Sequence, residues 1–148
     1  MKILHRDNNE NRQHHVLSEQ IDYELNPKFL YAGIVKPKKN WSETPHDHDF
    51  LELLFIKDGL GEILIEDTLY PVKSGDLIIY NAGVTHCETS STNKPLKFYF
   101  VAFENIKIKE LEKNHMISSS LPKVFQAGYL SELFSAYFER MLNEISIK

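Results

Sequence analysis

Four residues near the middle of the chain have the types and spacing that chemistry needs: His46, His48, Glu52 and His86. In an extended backbone, side chains alternate faces, so His46 and His48 point the same way with Cα atoms about 6.6 Å apart. That is near enough for two imidazoles to converge on one ion or ligand. Glu52 shares their parity but lies roughly 13 Å further along a straight strand. It joins them only if the chain bends near Asp49 and Phe50. His86 must arrive from a separate strand, after the Asn81-Ala82-Gly83 turn. Three neutral nitrogens and a carboxylate suit Fe(II), Mn(II), Ni(II) or Zn(II), with positions left for water or substrate. The same four residues also fit a metal-free effector pocket, or a polar network whose members satisfy one another. Buried titratable groups without partners are costly, so a ligand or mutual hydrogen bonding is expected in every case.

Other residues could extend this site. Glu88 shares strand parity with His86 and can face the same cavity, or it ends a strand in solvent. Tyr99 and Phe103 alternate on a late strand as core aromatics, and Tyr99 brings a hydroxyl that needs a partner when buried. Trp41, the single tryptophan, can stack on a ring or anchor its loop. Cys87 points away from His86 and reads as a small core residue. His14 and His15 lie in a polar stretch and read as solvated.

The elements that must position these groups are short strands. A polar arm covers residues 1–15, and Val16 to Val35 gives one or two edge strands broken by Asn26-Pro27 and Gly33. Pro37 to Pro45 is a loop. Phe50 to Lys57 is a nearly continuous apolar run closed by Asp58-Gly59, and Leu60 to Ile65 turns at Glu66-Asp67 into Thr68 to Val72. After Lys73-Ser74-Gly75-Asp76 come Leu77 to Tyr80, then Thr85 to Thr89, then Leu96 to Phe103. Strands at steady spacing, each closed by Gly, Asn or Asp chemistry, indicate an all-β barrel or sandwich. From about Tyr129 the pattern becomes helical. Leu130, Leu133, Phe134, Tyr137, Phe138, Met141, Leu142 and Ile145 form one apolar stripe, with Glu132, Glu139, Arg140 and Glu144 toward the other face.

The bulk numbers set limits. A chain of 148 residues, 42% hydrophobic and 26% charged, fits one globular domain. No apolar run approaches the roughly 20 residues that cross a bilayer, and the N-terminus lacks a signal-peptide core. A lone cysteine excludes an internal disulfide framework, which favours the cytoplasm. The formal charge is -4 and the densest basic cluster, Lys36 with Lys38 and Lys39, is short. Phosphate binding needs a basic face, so this segment is not expected to grip DNA itself.

Two motifs then connect the residues to a family. The segment HDHDFLELLFIKDG is similar to the first cupin motif: His-x-His, three residues, Glu, six residues, Gly59. The segment GDLIIYNAGVTH is similar to the second, running from Gly75 through Gly83 to His86. Asn40 replaces the first motif's leading glycine, Asn81 the second's proline, and Ser90 its closing asparagine. The resemblance implies a mainly β fold, a cupin-type double-stranded β-helix or jelly-roll barrel, followed by C-terminal α-helices. Over nearly the whole chain, the arm, the barrel and the trailing helix resemble the N-terminal half of an AraC-family transcription regulator.

That resemblance implies an effector-sensing and dimerisation domain, not an enzyme, with no required cofactor. The expected organisation is an arm over 1–15, a cupin barrel over 16–104 and a helical dimerisation segment over 105–148. A helix-turn-helix DNA-binding region is expected beyond Lys148, and DNA is a partner only through it. The effector is a small polar molecule, often a sugar in this family, held by His46, His48, Glu52, His86, Glu88, Tyr99 and Trp41. The arm can fold over it, which would bring in His14 and His15. The expected homodimer joins through Leu130, Leu133, Phe134, Tyr137, Phe138 and Met141, because one closed barrel has limited surface to receive so wide a stripe. The rival reading is a free-standing metal-dependent cupin enzyme, an isomerase or dioxygenase, with His46, His48, Glu52 and His86 as ligands.

Overall fold

The structure is a computed structural model that describes residues 23–147, with side chains from residue 26 onward. The arm over 1–15, with His14 and His15, lies outside the described residues. Eight strands are described: β1 Tyr23–Val35, β2 Leu51–Asp58, β3 Leu60–Ile65, β4 Thr68–Lys73, β5 Asp76–Tyr80, β6 His86–Ser90, β7 Lys97–Ile108 and β8 Val124–Gln126. A single 3-10 turn, Gly128–Leu130, leads into helix α1, Ser131–Ser146. The strands form a five-stranded sheet, β1-β7-β2-β5-β8, and a three-stranded sheet, β4-β3-β6, with antiparallel pairing throughout.

The apolar run in β2 has a physical reason: both of its faces are covered. Its even positions Leu54 and Ile56 enter the core between the sheets, with Ile63, Ile65, Val72, Ile78 and Phe98. Its odd positions face outward, where Leu51 meets Ile106 and Ile117 and Phe55 meets Tyr99 and Phe138. A strand buried on both faces loses the alternation of a half-exposed one. Tight turns close the hairpins. At Gly59, φ is +94° and an added Cβ would stand 2.3 Å from the Pro95 carbonyl oxygen. Only glycine fits there. Asn40 has φ 55°, a left-handed conformation that asparagine tolerates better than most residues. The replacement of the motif's glycine there keeps the conformation.

The boundary expected at residue 104 moves. Strand β7 continues to Ile108, and β8 returns to pair with β5 through Asp76–Gln126, Leu77–Phe125 and Ile78–Val124. Residues 105–108 and 124–126 are therefore strands of the barrel wall, and the α-helical part of the 105–148 segment begins only at Ser131. Two buried asparagines fasten this segment. Asn114 accepts from Ile106 N and donates to the Asp49 carbonyl at 2.8 Å. Asn81, in the motif's proline position, donates to Ile117 O at 2.7 Å and accepts from Met116 N at 2.9 Å.

Helix α1 lies against the outer face of β2 and β7. Phe138 is 6% exposed and stacks on Phe55 and Tyr99, with ring centroids 6.2 Å and 5.4 Å away. Phe134 stacks on Phe55 at 5.6 Å, and Met141 and Leu142 pack into the same cluster. Lys57 Nζ donates to Ser135 Oγ and to Glu139 Oε1. The expected dimer stripe is thus divided. Phe134, Phe138 and Met141 cover the barrel, and Leu130 is half-buried. Leu133, Tyr137 and Tyr129 face outward, with Tyr137 61% exposed.

Candidate functional site

The chain bends at Asp49 and Phe50 before β2 begins, and the bend brings Glu52 back toward the histidines. Its support is explicit: Asn114 Nδ2 holds the Asp49 carbonyl, and Gly83 N donates to His48 O at 2.7 Å. His46 and His86 form an antiparallel bridge, with N–H to O distances of 3.0 Å and 2.9 Å. The three imidazoles converge. Ring centroids are 4.5 Å apart for His46 and His86, 5.0 Å for His48 and His86, and 6.2 Å for His46 and His48.

Each imidazole meets a backbone carbonyl through Nδ1: His46 with Thr44 O, His48 with Phe50 O and His86 with Val84 O, at 3.0, 2.8 and 2.8 Å. A carbonyl only accepts, so Nδ1 carries the proton and each neutral ring presents a bare Nε2. His48 Nε2 and His86 Nε2 are buried and make no hydrogen bond among the described residues. Glu52 Oε2 lies 3.4 Å from the first and 3.8 Å from the second. Ligand atoms of His48, Glu52 and His86 all lie within 4.8 Å of one another, the arrangement in which a divalent ion is held by two nitrogens and an oxygen. His46, expected as a fourth ligand, stands outside this group among the described residues. Its ring turns toward the neighbouring cavity.

That cavity has a volume of about 320 Å³ and opens between the two sheets. Tyr31, Trp41, Phe98 and Phe100 form its aromatic wall, and Glu43, Glu52 and Glu88 its carboxylates. Tyr31 donates to Glu52 Oε1 at 2.9 Å. Burial pushes the Glu52 carboxyl up, but His48, His86 and Tyr31 outweigh it and hold the value down to about 2. Burial pushes His48 down, and Glu52 more than restores it. Glu88, 3% exposed, accepts from the Tyr80 hydroxyl at 2.6 Å. Burial, with Glu43 close by, raises its carboxyl to about 8 against the opposing Tyr80 hydrogen bond.

Most of the expected pocket residues meet here. His46, Glu52, Glu88 and Trp41 line the cavity, with His48 and His86 behind Glu52. Tyr99 does not. It lies on the outer face of β7, where its hydroxyl donates to Glu139 Oε1 at 2.8 Å beneath α1. The inward aromatics of β7 are Phe98 and Phe100. Both faces of β7 are apolar, so alternation alone does not identify which one faces the cavity. Cys87 is buried and points away from His86, as its parity implies. Sequence reasoning missed Tyr31, Glu43 and Asn114. A tyrosine two residues before Gly33 on an edge strand carries no motif signal, and the Asn114 contact to Asp49 spans 65 residues.

A two-sheet β-barrel holding His48, Glu52 and His86 inside defines a cupin-type domain. The AraC-like ligand binding domain family matches residues 32–147, and the chain belongs to that family. An uncharacterized HTH-type transcriptional regulator of Escherichia coli, YdiP, is 26% identical over 108 residues. The alignment covers 72% of this chain and 34% of that protein, so the chain spans about a third of its relative's length. Solved structures with a similar arrangement include the Schizosaccharomyces pombe Cnp3 cupin domain, 15% identical with TM-score 0.46, covering 55% of this chain and 67% of that one. The DMSP lyase DddQ from Ruegeria pomeroyi is 21% identical with TM-score 0.46, covering 55% and 40%. A cupin protein from Bacteroides fragilis is 14% identical with TM-score 0.44, covering 75% and 95%.

Proposed function

We propose that this chain is the effector-sensing domain of an AraC-type transcription regulator, acting in the cytoplasm, with a small polar molecule bound in the barrel. The observation that carries the proposal is the cavity between Trp41 and Glu88 within a domain of the ligand-binding family. A ligand that prefers one arrangement of barrel and α1 shifts the population toward it. The shift changes how attached DNA-binding units are presented, and DNA is a partner only through those units. The outward residues Tyr129, on the 3-10 turn, and Leu133 and Tyr137, on α1, are what this segment offers a second copy. No helix of the described residues is long and apolar enough to cross a membrane.

The test is thermal. A ligand that binds only the folded chain stabilises it by ~2.7 kcal/mol at 100 times its Kd. The low-molecular-mass fraction of a cell extract should raise the melting temperature. Val35→Phe, placed at a half-buried position of the cavity wall, should remove the rise. An equal rise in that variant contradicts the proposal.

A second reading is favoured by the two bare nitrogens, His48 Nε2 and His86 Nε2. With Glu52 they would hold Zn, Mn, Ni or Fe, and a bound ion would supply Lewis-acid or redox chemistry as in a metal-dependent cupin enzyme. Stoichiometric metal lost in His48→Ala together with a turnover activity would replace the sensor reading with this one.

A further inference from the structure

The charge balance of the cavity narrows its ligand, and this step rests on the effector reading above. Among the described lining residues there are three carboxyl groups, Glu43, Glu52 and Glu88, and no lysine or arginine. Glu52 has its own partners in Tyr31, His48 and His86. Glu88 and Glu43 do not divide a cation in the same way. They face each other across the bridge that joins Ser42 to Thr89, where Glu43 N donates to Glu88 O at 2.9 Å. Glu88 is 3% exposed, and its carboxyl accepts from the Tyr80 hydroxyl on Oε1. The Glu43 carboxyl is its other side-chain partner, and the Glu88 side chain lines the cavity. Buried carboxyl groups are kept only with partners.

Aromatic rings surround this pair. Trp41 and Phe98 lie 5.9 Å apart and tilted, and Tyr31 meets Phe100 edge to face at 5.9 Å. Aromatic faces attract cations, most strongly when water is excluded, and carboxylates form charge-assisted hydrogen bonds with N–H donors. Of the wall's donors, Tyr31 already donates to Glu52 and His46 Nδ1 to Thr44, which leaves the Trp41 indole N–H. An anion would meet like charge, and a neutral polyol would find few donors for its oxygens.

We propose that the barrel recognises an organic monocation, a protonated amine or amidinium on a small apolar body, held between the Glu43–Glu88 pair and the rings of Tyr31, Trp41, Phe98 and Phe100. The nitrogen's donors reach the Glu43 and Glu88 carboxyl oxygens in place of their contact with each other, and its body fills the aromatic side.

The experiment uses the whole chain and four probes: benzylammonium, benzyl alcohol and benzoate, matched in shape and different in charge, and D-xylose as a polyol. Trp41 is the only tryptophan, so its emission reports from the cavity wall. Benzylammonium should give a saturable change with a Kd about tenfold or more below that of benzyl alcohol. Glu88→Gln and, separately, Glu43→Gln should weaken the ammonium by about tenfold and leave the alcohol unchanged. Glu43→Gln alters a side chain at the cavity mouth, so it reads out binding even if Glu88→Gln fails to fold. Tighter binding of alcohol, benzoate or xylose overturns the cation inference while the cavity remains the effector site. Unchanged ammonium affinity in both variants overturns it too, as does no saturable response to benzylammonium, while the effector reading stands or falls on the extract fraction and Val35→Phe.

Discussion

Replacing Phe138 by alanine separates the two roles that the α1 stripe could have. The side chain is 6% exposed and lies parallel to Phe55 and Tyr99, with interplanar angles of 10° and 9°. Truncating a buried phenylalanine costs about 3–5 kcal/mol, through lost transfer energy and the cavity left behind. Whole domains are stable by only about 5–15 kcal/mol, so this one change should remove a large share. Tyr137, one residue earlier and 61% exposed, should cost within about 0.5 kcal/mol when cut to alanine. Urea unfolding followed by Trp41 emission measures both, and it should be run at two protein concentrations about tenfold apart. A cost that does not change with concentration locates Phe138 against its own barrel. A cost below about 1 kcal/mol, or one that grows on dilution as subunits separate, refutes that placement and restores Phe138 to an interface.

Three further outcomes follow from the geometry. In metal-free, chelator-treated protein, Glu88 has a folded value near 8 against 4.5 for an ordinary carboxyl. The folded state therefore binds more protons across that window, and stability is full below about pH 4.5 and lost as pH rises toward 8. At ~1.4 kcal/mol per pH unit the loss amounts to a few kcal/mol. Glu88→Gln should show a flatter stability profile over that range by denaturant titration, and parallel curves contradict the assignment. Gly59→Ala should destabilise by about 1–3 kcal/mol, because φ is +94° and the new Cβ meets the Pro95 backbone; a neutral effect on the urea midpoint would contradict this. Asn114→Ala leaves Ile106 N and Asp49 O unpaired and should cost about 1–3 kcal/mol, with faster amide exchange at Gly83, whose N–H bonds His48 O; unchanged exchange would contradict the bend's support.

The strand ladder was legible because its turns are written in local chemistry. Leu60–Ile65 has the expected bounds, and Thr68 opens β4 as expected after Glu66-Asp67. The convergence of His48, Glu52 and His86 was legible from spacing plus one conditional, the bend at Asp49 and Phe50, and the structure contains that bend. The misplacement of Tyr99 has a physical cause. Strands β2 and β7 are apolar on both faces because the inter-sheet core lies on one side and α1 on the other, so parity gave no sign of which face was inward. The return of β8 was hidden for a different reason. Three residues, Val124–Gln126, are too few to show a period, and their partner β5 lies more than forty residues away in sequence. The division of the α1 stripe was equally silent, since a helix records how wide its apolar face is and not what covers it.

The central claim is that the cavity walled by Trp41 and Glu88 is where the effector binds. A crystal structure of the chain, grown with the extract fraction that raises its melting temperature, tests this most directly. Ligand density is expected against the Trp41 ring and within hydrogen-bond distance of a Glu43 or Glu88 carboxyl oxygen. Density in the groove of Phe29, Met141 and Ile145, with the barrel cavity empty, would contradict it.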